Sequence, residues 1–447
     1  MKKEVTRVRK VRKLSFQKIF NLMSAMFILA CIIFYGSRFI KLYKENNHTE
    51  ETKTLADNIK DNNKDNDNFK NINGTYYFNG KDVNNYIKYS NLTFRIIKVN
   101  TDNTITAISE NSLTALASGE NKEFKDSYLN MWLNNQNKEN TGILENNLNN
   151  TNKYLTFTNT CNGKITKTKN ITCDKKVEDT FITTPSLYDY INTGSEDSFM
   201  NNEEYFYLIN TNDDKKIWYV NNNGGVTTSD GTDIMGIKPV ITIKSTISLK
   251  DGDGSKDTPY TFEEEQGLLG SYVNLDNDIW RIYSVEEDNI KLSLNNYITQ
   301  NNEPLTYIYS EKGYYHNDGA YGTLAYYLNH NYLNSLTYSD KINEVEYANG
   351  IYSNNTDYDY TKVLSTTVPT KVTVLSIGNI ILNPISTNYF LSTGIEKEST
   401  LVYSMSNDFN LNTKISLTES KIVPVISIKK DLLKQGSGTK EDPWEVE

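Results

Sequence analysis

The stretch Tyr86–Ile97, YIKYSNLTFRII, recurs without a gap at Tyr272–Tyr283 as YVNLDNDIWRIY. Each copy alternates apolar and polar residues around a short polar turn and closes on an aromatic-Arg-Ile run, with Arg95 and Arg281 lying 281 − 95 = 186 residues apart. Alternation with a period of two marks strands that bury one face. Further along, ITAISENSLT from Ile105 matches IKLSLNNYIT from Ile290 at an offset of 185, and IKPVITIK from Ile237 matches IVPVISIK from Ile422 at the same offset. EYFYL around Tyr205 matches NYFLS around Tyr389 at 184, and GDGSKDTPY ending at Tyr260 matches GSGTKEDPW ending at Trp444, also at 184. The same blocks in the same order at a near-constant offset predict a tandem duplication, with module one spanning 74–262 and module two 267–447.

Each module alternates short β-type runs with amide-rich turns; in module one these runs are LTFRIIKV, TITAIS, YLTFT, YFYLIN, KIWYVN and PVITIK. Helical signals are few. DSYLNMWLNN offers Asp126 or Ser127 as a cap with Leu129, Trp132 and Leu133 on one face, and GTLAYYLNHNYLNSL places Leu324, Tyr327 and Leu328 similarly. Thr184 before Pro185 predicts a helix start in TPSLYDYIN, whereas SIGNIILNP in module two predicts that this helix is lost or altered there. The expected fold class is α+β and β-dominated: two tandem homologous modules of short strands with a few short helices.

FRIIKVNTDNTIT, KIWYVNNNGGV, GIKPVITIK and GDGSKDTPY, in that order, resemble the repeats of surface proteins of Gram-positive bacteria grouped as a domain of unknown function. Through the W-x-V-N-x-x-G and G-V-x-P-V-I blocks those repeats resemble the C-type-lectin-like or formylglycine-generating-enzyme-like fold. The resemblance covers both modules and implies a surface protein. Module two reads TLVYSMSNDFNL in place of KIWYVNNNGGV, so a surface built by Trp218 and Gly224-Gly225 is expected in one module only.

The N-terminus predicts the compartment. Residues 1–44 carry eleven Lys/Arg and the single acid Glu4, leaving −9 − 10 = −19 for the rest of the 447-residue chain. Residues 1–18 form a basic head, and Ile19–Gly36 is an 18-residue run without a formal charge, at the short end of what spans a hydrocarbon core. The excess of basic residues before it predicts a single-pass signal anchor in the cell membrane, with a cytoplasmic N-terminus and an extracellular C-terminal body. A cleaved signal peptide is the rival reading, and ILAC ending at Cys31 faintly resembles a lipobox. The stretch from Lys44 to Asn71, almost without apolar side chains, predicts a flexible polar stalk over residues 37–73. The acidic body argues against nucleic acid as a partner.

Beyond the anchor the only cysteines are Cys161 and Cys173, which predict a disulfide in an oxidising compartment, and its absence from module two makes it a local staple. Asp251, Asp253 and Asp257 in the closing turn are candidate calcium ligands. Gln435 and Ser437 replace the first two in the second copy, so turn chemistry is the favoured reading and no metal or cofactor is assigned. The histidines, His48, His316 and His330, have no ligand spacing or repeat, and no catalytic residue is assigned. Trp218, Tyr219, Asn221, Tyr314 and Tyr315 are the candidate ligand surface, since aromatics stack on sugar rings or anchor partners while asparagine bonds hydroxyls. Their competing role is to fill half-buried strand faces. The function expected is that of a membrane-anchored bacterial surface protein whose duplicated modules bind a glycan or wall polymer, not an enzyme. The alternatives are a structural or regulatory envelope protein contacting another membrane protein and, third, an extracytoplasmic enzyme.

Overall fold

Leu55 and Ile59 stand one helical turn apart, with Thr54 before them and Asp57 three residues on, and this pattern starts the folded body. Thr54 caps helix α1 (Leu55–Asn62) in a capping box: its Oγ1 accepts from the Asp57 N–H at 3.2 Å, and the Asp57 carboxylate accepts from the Thr54 N–H at 3.3 Å. Leu55 and Ile59 are fully buried. The computed structural model describes residues 53–447 apart from 170, 316–318, 383–387 and 407–408. The stalk expected over 37–73 is thus corrected from Thr54 onward, where the chain is part of the body. The basic head, the run Ile19–Gly36, Cys31, His48 and His316 lie outside the described residues. Among the described residues no helix is long and apolar enough to cross a membrane.

Two sheets make up the first half. One has the order β1 (Phe69–Ile72), β2 (Thr75–Phe78), β4 (Leu92–Val99), β5 (Ile105–Ser109), β12 (Val240–Ile243), β7 (Ile182–Thr183), with β3 (Tyr86–Tyr89) also paired to β4. The other has the order β10 (Val226–Ser229), β9 (Ile217–Val220), β8 (Phe206–Thr211), β11 (Met235–Gly236), β6 (Ala115–Leu116). Helix α2 (Tyr128–Leu133) starts at Ser127, whose Oγ accepts from the Asn130 N–H at 3.3 Å, and it buries Leu129, Trp132 and Leu133 completely. Helix α3 (Leu187–Asn192) is capped by Ser186 and not by the Thr184-Pro185 pair; the Ser186 hydroxyl takes the Asp189 N–H at 3.0 Å. A small hairpin, β13 (Leu249–Asp251) with β14 (Thr261–Phe262), closes this half.

The second half repeats the plan. Its larger sheet runs β23 (Val372–Val374), β28 (Pro424–Lys429), β17 (Asn289–Leu294), β16 (Asp278–Val285), β15 (Tyr272–Leu275), β29 (Trp444–Glu445); its smaller one runs β20 (Thr306–Tyr307), β27 (Ser420–Lys421), β24 (Tyr389–Gly394), β25 (Leu401–Met405), β26 (Leu411–Ile415). Added here are the hairpin of β18 (Thr299–Gln300) with β19 (Glu303–Pro304) and the antiparallel pair of β21 (Val345–Ala348) with β22 (Thr367–Thr370). Helix α4 (Leu324–Tyr327) answers α2. Among the described residues no helix answers α3: Ser376–Asn379 is a turn in which the Ser376 N–H bonds Asn379 Oδ1 at 2.9 Å. The hairpin β25–β26 stands where β9–β10 stands in the first half, so the divergent sequence TLVYSMSNDFNL keeps the strand pair that its letters obscure.

The register agrees position by position. Tyr86 faces Arg95 and Tyr272 faces Arg281. Both hairpins turn through two residues in left-handed conformation, Ser90-Asn91 at φ 53° and 55° and Asp276-Asn277 at 51° and 74°, the geometry that matches strand twist across a two-residue turn. Both second strands carry an irregularity one step later, at Ile96/Lys98 and Ile282/Ser284. Each closing turn returns to its own first strand: the Tyr86 N–H bonds Gly254 O and the Tyr272 N–H bonds Gly438 O, both at 2.8 Å. Gly254 and Gly438 take positive φ, and a β-carbon on either would strike the ring of Tyr260 or Trp444.

One core cluster crosses from half to half, joining Trp132, Leu116 and Tyr207 to Tyr352, Tyr360, Ile377 and Tyr403, while a second stays within the second half around Trp280, Ile290 and Leu328. Hydrogen bonds stitch the seam: Trp132 Nε1 to Gly378 O at 2.9 Å, the Ala117 N–H to Tyr352 Oη at 2.8 Å and the Ile381 N–H to Leu113 O at 2.8 Å. Thr54–Glu447 is accordingly a single unit. The Cys161–Cys173 disulfide, with Cα atoms 5.4 Å apart, lies in the first half alone. Its reduction is expected to lower unfolding free energy by about 3 kcal/mol, read from denaturant melts with and without reductant.

Candidate binding site at the seam of the two halves

Between the halves lies a cavity of about 440 Å³, within the usual range for a small-ligand site. The first half supplies the β3–β4 turn and the segment after β5; the second supplies the start of its larger sheet, its closing turn and Phe409. The walls follow from the strand register just described. Asn91, held left-handed at the tip of the first hairpin, sends its amide to Gly267 O at 2.9 Å and Leu269 O at 3.0 Å, which fixes the linker against the first half.

Arg281 forms one side. Its Nε and Nη2 donate to Gly270 O at 3.1 and 3.0 Å and its Nη1 to Leu382 O at 3.1 Å, while the guanidinium lies 4.7 Å from the centre of the Tyr272 ring. Burial draws its pKa below the ordinary arginine value, with Tyr272 opposing. The repeat partner Arg95 keeps the stack on its facing tyrosine, 3.9 Å from the centre of the Tyr86 ring, but has different hydrogen bonds, to Asn85 Oδ1 at 2.5 Å and to Tyr86 Oη and Val83 O at 3.1 Å each, and it also meets the Phe199 ring. The duplicated arginines have therefore diverged, one closed into its own half and one turned to the seam.

Behind the wall, the Ser112 N–H and Oγ donate to Glu204 Oε2 at 2.9 and 2.7 Å, and Lys238 Nζ lies 3.9 Å from the same carboxylate. Burial pushes the Lys238 ammonium down to about 8, with Glu204 and Glu110 opposing and Arg95 adding to the fall. Val423 occupies the Lys238 position in the second half, so this buried charge has no duplicate. At the cavity itself, Lys88, Lys440, Glu110 and Glu441 bring both signs of charge, Thr93 and Asn111 bring a hydroxyl and an amide, and Leu113, Ile381 and Phe409 give an apolar wall. That lining suits a polar ligand with many hydroxyls, held by hydrogen bonds over an apolar patch.

None of the residues picked from sequence as a ligand surface lines this cavity. Trp218 is 9% exposed and donates to Ile165 O at 2.9 Å. Tyr219 is half-buried opposite Thr227, and Asn221 turns its side-chain oxygen onto the N–H groups of Asn223 and Gly225 at 3.0 and 2.9 Å. Tyr315 donates to Asn349 O at 2.5 Å and Ser392 O at 2.9 Å and stacks on Tyr309, with half-buried Tyr314 next to it in the chain. In the acidic turn, Asp253 accepts from the Ser255 N–H at 2.9 Å and Thr258 Oγ1 at 2.5 Å, which holds its carboxyl down to about 2, and Asp251 accepts from the Gly252 N–H. Among the described residues no group of three or more His, Cys, Asp or Glu side chains is placed to hold a metal ion, Asp257 included.

Fold and cleft together define a two-copy, β-rich body with a mixed-charge hollow at its seam. No family model, curated protein or solved structure matches the chain.

Proposed function

We propose that this chain is a membrane-anchored surface protein that binds a glycan or wall polymer in the cleft between its two halves. The observation that carries the reading is the cleft lining, in which charged, hydroxyl and amide groups from both halves converge over Phe409 and Leu113. Residues 19–36 serve as the anchor in this proposal, and the body lies outside the cell. The charge split of +10 against −19 and a disulfide that needs an oxidising compartment support that placement. The halves arose by tandem duplication, and their matching registers support it. The resemblance of the repeated blocks to Gram-positive surface repeats points the same way.

Equilibrium titration of the chain with solubilised cell-wall polysaccharide tests the reading. Saturable binding is expected, and Lys88→Glu or Lys440→Glu, both on exposed rim positions, each weakens it by about tenfold, the effect of losing one charge-assisted hydrogen bond. Absence of binding, or binding indifferent to both substitutions, removes the proposal.

A further inference from the structure

The face of the first half that meets the second has a counterpart on the second half. Asn134 brackets Ile182, donating to its carbonyl at 2.7 Å and accepting its N–H at 3.0 Å; Asn329 does the same to Val372 at 2.9 and 3.1 Å. The two asparagines are 329 − 134 = 195 residues apart, and the same step carries Trp132, the residue at the heart of the seam, onto Tyr327. Strand pairing carries Leu116, opposite Met235, onto Tyr307, opposite Ser420. Tyr307 and Tyr327 stack at 4.6 Å on a face that no part of the described chain covers as the second half covers Trp132. Tyr321, 77% exposed, meets Tyr326 edge-on at 5.2 Å, and Tyr326 stacks on exposed His330 at 3.9 Å. Ile415 and Leu417, on either side of Ser416, whose carbonyl takes the Tyr309 N–H at 2.8 Å, are 53% and 54% exposed.

The surface that receives this face belongs to the segments on either side of β23, where Gly378 takes the Trp132 N–H, Tyr352 the Ala117 N–H and Asp357 the Tyr128 hydroxyl. On the first half the segments flanking β7 hold the corresponding place. There Phe157, 48% exposed, pairs with Phe181 at 4.7 Å, next to the disulfide loop with exposed Lys164, Lys167 and Lys169; just past Cys173, exposed Lys175 and Lys176 are interleaved with exposed Asp174, Glu178 and Asp179, which leaves the lysines in excess. The tyrosine face is flanked by exposed Glu303, Glu311 and Glu419, which outnumber the exposed Lys312. On balance one end is aromatic and acidic, the other aromatic and basic.

We propose that the Tyr307–Tyr327 face docks the Phe157–Phe181 end of a second copy of this chain, repeating between molecules the contact made between the halves. Such a contact joins unlike surfaces, so it propagates head to tail and does not close into a dimer. Charge complementarity across it makes the association salt-sensitive.

Sedimentation velocity of the full-length chain in nonionic detergent, over a concentration series, tests this. The expected result is mass that grows past the dimer as concentration rises and falls back with added salt. Tyr321→Lys with Tyr327→Lys blocks one end, and Lys164→Glu with Lys167→Glu blocks the other; each pair moves the association midpoint to at least tenfold higher concentration. Mixed together, the two variants form one-to-one complexes, because each retains one intact end. Thermal melts confirm that both variants are folded, and Tyr321→Lys alone, at the most exposed position, reports on the same end if the double variant is not. A chain that stays monomeric, variants that associate like the parent, or a mixture that assembles no better than its parts overturns the proposal. So does a face that proves to hold wall polysaccharide instead, seen as polysaccharide binding lost in the tyrosine variant.

Discussion

Trp132→Ala is expected to destabilise the whole body by about 3–5 kcal/mol, the range for truncating a large buried aromatic. Trp132 is fully buried, belongs to the first half, and hydrogen-bonds Gly378 O of the second. Its removal opens a void in the core cluster that the halves share and orphans a buried carbonyl. Both halves lose stability together, so denaturant melts followed by circular dichroism keep one transition that shifts to lower denaturant. Trp132→Phe retains most of the packing and loses the N–H, with an expected cost of about 1 kcal/mol. A Trp132→Ala protein that unfolds at the parent's denaturant concentration refutes the shared core.

Stability is expected to rise from pH 8 to near 10 and then to collapse. In the folded chain Lys238 titrates near 8 against an ordinary lysine value of 10.5. Between those values the unfolded chain binds more protons, so unfolding free energy grows with pH, by about 3 kcal/mol across the window. The tyrosines act in the opposite sense. Burial holds the phenols of Tyr77, Tyr207, Tyr283, Tyr309 and Tyr352 well above the usual 10.0, so the stability they contribute is fully present below pH 10 and is lost as the unfolded chain ionises above it. Melting temperature against pH gives the curve, and phenolate absorbance appears together with unfolding. Lys238→Met flattens the rise below pH 10 and leaves the fall, since Glu204 keeps both Ser112 donors. A curve with no rise between 8 and 10 removes the role given to Lys238.

How much of this was legible follows from where each signal sits in the chain. Strands announce themselves by local alternation, and the repeated blocks carry their register intact, down to Tyr86–Arg95 and Tyr272–Arg281. The closing turns were legible because glycine, proline and an aromatic are each required by local geometry, and the second copy lost the aspartates without losing the turn. Helix α1 was hidden in a polar segment: Leu55 and Ile59 bury one turn of helix in the core, with the Leu55 N–H on Ile247 O, far along the chain, at 2.7 Å, and composition averages that away. The β25–β26 hairpin was hidden for a different reason, since backbone pairing constrains shape more tightly than it constrains side-chain identity. The seam was illegible, because Trp132 and Gly378 are 246 positions apart and nothing local to either names the other. Lys88, Glu110, Arg281 and Lys440 were visible only as parts of repeated structural blocks, and it is the packing of one half on the other that brings them to one cleft.

Hydrogen–deuterium exchange of the full-length chain, with and without solubilised wall polysaccharide, addresses the seam and its use together. Ligand is expected to slow exchange at 109–113 in the first half and at 438–441 in the second, at the same concentration and to the same occupancy. Protection confined to one half, or none at either segment, contradicts a ligand site shared between the two copies.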